Sequence, residues 1–288
     1  MPQLLLNGIA IGCVYALVSC GFVWVYQSVG AVNFAHGELV MVGAYLGVTA
    51  ASVLGWTPAV ALVAAVLASG LFGVLFQHVA YAPVHGRPPL AFIVVSIGMS
   101  ILLRNGALVL WGPDPVAPPD LLSGRIVHLG HTALSAHHLL IVAITLGVFA
   151  LQVFFFAHTR LGHQLRATAE DQETARLMGV NVAGMIVLTF ALSSALAALA
   201  GVLVAPVVFV SPDLGLFIIL KAFIAMVIGG FGSIAGTLVG GVLLGLVEVL
   251  TAAYISSAYK DVVAFAVLVI MLLVLPRGLF GEPVGERG

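Results

Sequence analysis

Apolar stretches of about 20 residues, each nearly free of charge, recur from one end of this chain to the other, and a helix crossing the roughly 30 Å hydrocarbon layer needs about that many. Candidate spans cover residues 4–26, 39–54, 59–80, 90–111, 139–157 and 182–208, followed by a long stretch, 216–253, and a last block, 262–275. The seventh block is too long for one crossing and is interrupted by Gly229-Gly230-Phe231-Gly232-Ser233. Of the 288 residues 62% are hydrophobic and only 7% charged, whereas a soluble domain carries about a quarter charged residues. Lipid must therefore surround most of the surface. The fold class that follows is an all-α integral membrane protein, a polytopic helical bundle of about eight to nine transmembrane segments with a broken glycine-rich seventh block. No polar stretch is long enough to fold alone, so residues 1–288 are expected to form one membrane domain.

Several function classes drop out. A net charge of −1 with ten Lys and Arg leaves no basic footprint for nucleic acid. No arginine-led leader precedes the first apolar run, so no cleaved signal peptide is expected. Cys13 and Cys20 would stand about 10 Å apart on a helix, too far to bridge, and read as small packing residues. His128, His131, His137 and His138 cluster in sequence, but no cysteine joins them and the spacing fits no zinc pattern; no metal site is expected. No nucleophile, base and orienting group form a catalytic constellation, so the chain itself is not expected to be an enzyme.

Basic residues accumulate on the cytoplasmic side of a membrane protein. Residues 158–181 hold Arg160, Arg166 and Arg176 and are placed there. Counting back puts the loop with Arg87 inside, and the Pro-rich loop 112–138 and Met1 outside. If the seventh block breaks at its glycines, the C-terminus with Arg277 and Arg287 also ends inside. That arrangement puts six basic residues inside against two outside, Arg125 and Lys260; an unbroken helix would give five against three.

Four blocks carry glycine pairs at helix-packing spacing: Gly8 and Gly12, Gly43 and Gly47, Gly236 and Gly240, Gly241 and Gly245. They predict close helix contacts and a tight bundle, nothing more. Polar groups within the spans say more, because charge at mid-bilayer is costly. Asn33, His36 and Glu38 open the second span, either as a capped helix start at the inner interface or as a lining of the inner mouth. Arg104 and Asn105 lie two thirds along the fourth. Lys221 and Glu248 are expected at the outer ends of the two legs of the seventh block, snorkelling or paired. The 229–233 run is either a tight turn or a helix break whose freed backbone lines a polar cavity.

Residues 158–181, HTRLGHQLRATAEDQETARLMGVN, are the most informative polar stretch. From Thr168 onward they predict a short helix, with Arg166 and Glu170 four apart, Glu173 and Arg176 three apart, and Gly179 as its stop. Such a helix is either simply solvated or a docking element. The chain holds no P-loop to be its own engine: neither Lys221 nor Lys260 follows a glycine.

These pieces, with others, resemble a known family. Asn7-Gly8, Tyr15-Ala16-Leu17, residues 32–38 (VNFAHGE), Ser96-Ile97-Gly98-Met99-Ser100, Ala169-Glu170-Asp171, Leu177-Met178-Gly179-Val180-Asn181, Leu220-Lys221-Ala222-Phe223, residues 229–236 (GGFGSIAG) and Tyr259-Lys260-Asp261-Val262-Val263 occur in order over nearly the whole chain. Together they resemble the membrane permease subunit of branched-chain amino acid ABC importers, the LivH type. The resemblance implies ATP-driven alternating access in the bacterial inner membrane. Its implied partners are a periplasmic solute-binding protein, a second, LivM-like permease and two cytoplasmic ATP-binding subunits that hold ATP and magnesium, with no cofactor in this chain. It implies ATPase coupling through Arg166, Ala169, Glu170, Asp171, Arg176 and Gly179. The expected substrate path takes in Asn33, His36, Glu38, Ser96, Gly229, Gly230, Gly232 and Ser233. The Pro- and His-rich loop 112–138 and the short N-terminus depart from the family pattern. Related permeases serve urea, short amides and other amino acids, so a branched-chain amino acid is the first expectation among several. The rival reading is a gradient-driven transporter or channel using Glu38, Lys221 and Glu248; the absence of an evident intramembrane ion-pair network in the sequence speaks against it. A membrane-embedded enzyme would need a convergent acid, base or metal set, which these residues do not offer.

Overall fold

A computed structural model of the protein describes residues 2–117, 126–129 and 132–280. Met1, Arg125 and Arg287, used above to judge orientation, and His131 of the histidine group lie outside the described residues.

The chain opens with α1 (Pro2–Val29), followed by α2 (His36–Val48), which ends in a π-helical turn at Thr49–Val53. α3 (Pro58–Phe76) continues through tighter and wider turns to Val84, and α4 (Pro89–Trp111) follows. A small antiparallel ribbon, β1 (Ile126–Leu129) with β2 (Thr132–Ser135), leads into α5 (Ala136–His158). Two short helices, α6 (Arg160–Glu170) and α7 (Gln172–Leu177), precede α8 (Val182–Val208), α9 (Leu214–Gly229), α10 (Ile234–Tyr254) and α11 (Lys260–Val274).

Among the described residues, seven helices are long and apolar enough to cross a membrane. The second apolar block is not among them, and the first leg of the seventh, α9, has only 16 residues. Both are preceded by non-helical backbone, residues 30–35 and 209–213. The long seventh block is a helical hairpin. Gly230 and Gly232 take φ of 106° and 91°, a region that costs glycine little, and Ser233 Oγ accepts from Gly236 N at 3.0 Å to cap α10.

The glycine pairs mate with one another. Gly8 and Gly12 on α1 lie against Gly245 and Gly241 on α10, while Gly229 and Gly236 close the hairpin. On α2, Gly43 rests on Ala198 and Gly47 on Val202, both of α8. A tight bundle was the expectation; its pairing pattern is new, and it is symmetric. α1 packs on α10 as α8 packs on α3; α2 leans on α8 as α9 leans on α1; α4 rests on α2, and α11 on α9 and α10. α1 runs toward the end of the bundle that carries α6 and α7, and α8 runs away from it. Helices α1–α4 and α8–α11 are thus arranged as an inverted repeat joined by α5–α7. α1 is the most enclosed span, whereas α4 and α11 lie at the periphery.

Candidate functional site

The two non-helical segments dip into the bundle from opposite ends. After α1, Gly30 (φ 73°) reverses the chain, and residues 31–35 run back alongside it. His36 Nε2 donates to the Val18 carbonyl at 3.0 Å, and its Nδ1 lies 3.3 Å from Ser193 Oγ. Val18 stands eleven residues from the end of α1, about 16 Å along a helix. Asn33, His36 and Glu38 therefore lie deeper in the bundle than the end of α1. The start of α2 is deep, and side chains replace the missing helical bonds as irregular backbone at membrane depth requires. Asn33 Oδ1 accepts from Ala35 N at 3.1 Å, and Phe34 N donates to Ser96 Oγ at 3.1 Å.

From the other end, Phe209 (φ 59°) turns the chain out of α8, Val210 pairs with Val116, and Pro212-Asp213 leads into α9. The two helix starts meet at Gly37 and Gly215, where a side chain on either glycine would collide with the other backbone. Neither start is capped by its N-cap side chain. Glu38 is buried at this crossing, its Oε1 accepting from Ser100 Oγ at 3.0 Å. Its Oε2 has no partner and faces Gly215, where a Cβ would stand 2.6 Å away. Asn33 Nδ2 is likewise buried without a partner. Beside them Arg104 of α4 forms an ion pair with Asp213, and both side chains are nearly half exposed, 42% and 49%. Asn33, Glu38 and Ser96 thus come together, whereas the His36 ring turns to Val18 and Phe22 of α1 and Ser193 of α8. Ser100, Arg104 and Asp213 join them without having been assigned a role from sequence. The Ser-Pro-Asp run before an apolar helix is an N-cap signal that marks Asp213 in retrospect.

Gly229, Gly230, Gly232 and Ser233 do not join this junction. They form the hairpin turn at the α6–α7 end, where Gln27 Nε2 donates to the Gly232 carbonyl at 2.7 Å. Gly232 and Ser233 border a cavity of about 870 Å³ shared with Trp24, Gln27, Arg166 and Glu170.

The expected single helix from Thr168 onward is two helices. Asp171 is extended (φ −155°, ψ 109°) and accepts from Glu173 N at 2.8 Å and Thr174 N at 3.2 Å, capping α7 instead of continuing α6. Gly179 (φ 83°) follows α7. Leu165 and Ala175 turn inward, and Gln172 Nε2 donates to the Ser28 carbonyl at 2.6 Å, which ties α7 to the end of α1. Arg166, Glu170, Asp171 and Arg176 are exposed, and so are Leu177 and Met178, at 84% and 81%.

An ion-pair network not evident in the sequence lies among α1, α9, α10 and α11. Lys221 pairs with both Glu248 and Asp261, and Tyr15 Oη donates to Glu248 Oε2 at 2.6 Å. Pairing, not snorkelling, is the state of Lys221 and Glu248. Cys13 and Cys20 are free and buried. Among the described residues no group of three or more His, Cys, Asp or Glu is placed to hold a metal ion.

Residues 4–272 match a family described as branched-chain amino acid transport system / permease component. The chain is 38% identical to the high-affinity branched-chain amino acid transport system permease protein LivH of Escherichia coli K12, over 99% of this chain and 97% of that protein. It is 37% identical to the corresponding permease protein BraD of Pseudomonas aeruginosa, again over 99% and 97%. In fold it is similar to a solved chain of PsaBC from Streptococcus pneumoniae in complex with Fab, with a TM-score of 0.54 at 16% identity, covering 97% of this chain and 93% of that one.

Proposed function

The chain belongs to the family of permease components of branched-chain amino acid transport systems, and from that membership we propose that it is the membrane-spanning subunit of a binding-protein-dependent ABC importer of amino acids, branched-chain ones first. Two cytoplasmic ATP-binding subunits hydrolyse ATP, a second LivM-like permease completes the path, and a periplasmic binding protein delivers the solute. Closure of the ATPase pair moves α6 and α7 and switches the side to which the path opens. This chain performs no chemistry of its own.

The observation that carries the proposal is the α6–α7 segment. Leu177 and Met178 stand out of a charged surface that includes Arg166, Glu170, Asp171 and Arg176. Apolar side chains exposed in this setting suit a protein partner. The bond from Gln172 to the Ser28 carbonyl would pass a push on α7 into the end of α1 and the dipping segment beyond it. Ala169 and Gly179 flank the contact surface and let a partner approach.

In this reading the α6–α7 end is cytoplasmic. Arg87, Arg160, Arg166, Arg176 and Arg277 gather there, as cytoplasmic ends attract basic residues, while Lys260 is at the other end. The N-terminus is then periplasmic and the C-terminus cytoplasmic in the inner membrane. The α2 and α9 segments count as two further, incomplete crossings, bringing the total to the upper end of the eight to nine of the sequence reading. The substrate path passes His36 and the junction of Asn33, Glu38 and Ser96, then the glycine turn at Gly229, Gly230, Gly232 and Ser233.

The test is a pull-down of the tagged chain from its native membrane in mild detergent, with partners identified by mass spectrometry. A Walker-type ATPase and a second permease are expected. Recovery of the chain alone, still moving solute in vesicles, would favour the gradient-driven alternative, in which Lys221, Glu248 and Glu38 serve as coupling groups.

A further inference from the structure

The Arg104–Asp213 pair lies on the transmembrane surface, yet both side chains are close to half exposed. Arg104 is seven residues from the end of α4, about 10 Å along the helix. Charges at that depth face a water-filled path or a protein partner, not lipid. On the inner side of the pair, the carboxylate oxygen Oε2 of Glu38 and the amide nitrogen Nδ2 of Asn33 are buried with no partner. Glu38 lies in the electrostatic field of both Arg104 and Asp213. Two helix starts converge on the same spot, and their amide ends carry partial positive charge that suits an anion. The junction therefore brings an unsatisfied carboxylate oxygen, an unsatisfied amide nitrogen and a guanidinium to the place where two helix starts meet.

We infer that this junction binds the charged head of a zwitterionic α-amino acid, and that the Arg104–Asp213 pair is the internal substitute such a solute displaces. The solute carboxylate replaces Asp213 on Arg104 and faces the start of α9; the ammonium group replaces Arg104 on Asp213 and reaches Glu38 Oε2. Every charge exposed by opening the pair is matched by the opposite charge on the solute. Urea or a simple amide has no net charges to exchange and leaves the pair closed. The inference rests on the permease reading above and adds to it the residues that hold the charged head of the solute.

The experiment uses the complete transporter in proteoliposomes, with its binding protein and labelled leucine. Arg104→Gln and Asp213→Asn are each expected to lower leucine uptake roughly tenfold or more, while the complex still assembles and its ATPase still responds to loaded binding protein. The charge swap, Arg104→Asp with Asp213→Arg, restores an ion pair but inverts it relative to Glu38, and uptake is expected to stay low. Recovery of uptake by the swap, or near wild-type uptake by both single variants, would overturn the site and leave the permease reading intact. Failure of the wild-type complex to take up leucine with ATP would overturn both. Should the single variants fail to assemble, maleimide modification of Ser100→Cys in the complex decides the matter. Leucine is expected to slow it and urea is not; no protection by leucine sinks the proposal.

Discussion

Gly12 and Gly241 stand backbone to backbone where α1 crosses α10: a Cβ on Gly12 would lie 2.6 Å from the Gly241 carbonyl oxygen and 2.7 Å from Val242 Cα. In lipid, helices gain little from the hydrophobic effect and hold together by such close packing. Gly12→Leu is therefore expected to push α1 from α10 and to destabilise the protein by about 1–3 kcal/mol or more. It would be read as a lower unfolding temperature in detergent. Gly98 on α4 meets nothing within 4 Å, so Gly98→Ala should leave that temperature unchanged. Equal losses from the two changes would show that the α1–α10 contact is not a principal support of the fold.

Lys221 is buried between Glu248, itself buried, and Asp261, which is half exposed, so its removal strands the Glu248 carboxylate. Lys221→Met is expected to cost about 3–5 kcal/mol, the range for breaking one side of a buried pair, and to reduce the amount of protein in the membrane. Adding Glu248→Gln should restore part of the loss, because the stranded charge is then neutral. If the double variant is as poor as the single one, the network is not what holds α9, α10 and α11 together.

Much of this architecture was legible in the chain, and the illegible parts have physical reasons. The glycine spacing on α1 and α10 announces close contact but cannot say which helix meets which, since Gly8 and Gly12 would pair equally well with Gly43 and Gly47. Asn33, His36 and Glu38 look like a helix start from any distance. Their depth is set by Gly30 and by bonds to Val18 and Ser96, residues that are distant or unremarkable in sequence. Local propensity favours one helix running through Asp171; the bonds its carboxylate accepts from Glu173 N and Thr174 N win instead. Asp213 stands at the N-cap of α9, and its partner Arg104 comes from a helix far away in sequence that no local pattern announces. Pairing of Lys221 with Glu248 is one of the two states the sequence allows, whereas Asp261 joins them from a third helix that no local pattern announces.

Glu170, Leu177 and Met178 are exposed and outside the folded core, so changing them tests docking without endangering the fold. Glu170→Lys is expected to abolish ATP-driven uptake while the protein inserts normally. Leu177→Ser with Met178→Ser should reduce co-purification of the ATPase by roughly tenfold or more, as loss of exposed apolar anchors does at a protein interface. An unchanged ATPase yield and normal uptake in all these variants would remove α6 and α7 from the coupling surface.

The orientation can be settled with thiol chemistry, because the native cysteines give no background. Cys13 and Cys20 are both buried and free, and Cys20 Sγ donates to Gln152 Oε1 at 3.1 Å inside the bundle. A membrane-impermeant maleimide should therefore ignore the wild-type protein. Thr57, in the exposed turn before α3, and Met178, after α7, lie at opposite ends of the bundle and are both accessible. If the five arginines at the α6–α7 end mark the cytoplasm, intact spheroplasts should label Thr57→Cys at once and Met178→Cys only after permeabilisation. The reverse order would invert the whole arrangement and put the exposed Leu177–Met178 surface where no ATPase could reach it. Because that surface carries the proposed coupling role, this labelling experiment also bears on the importer reading itself, independently of any transport measurement.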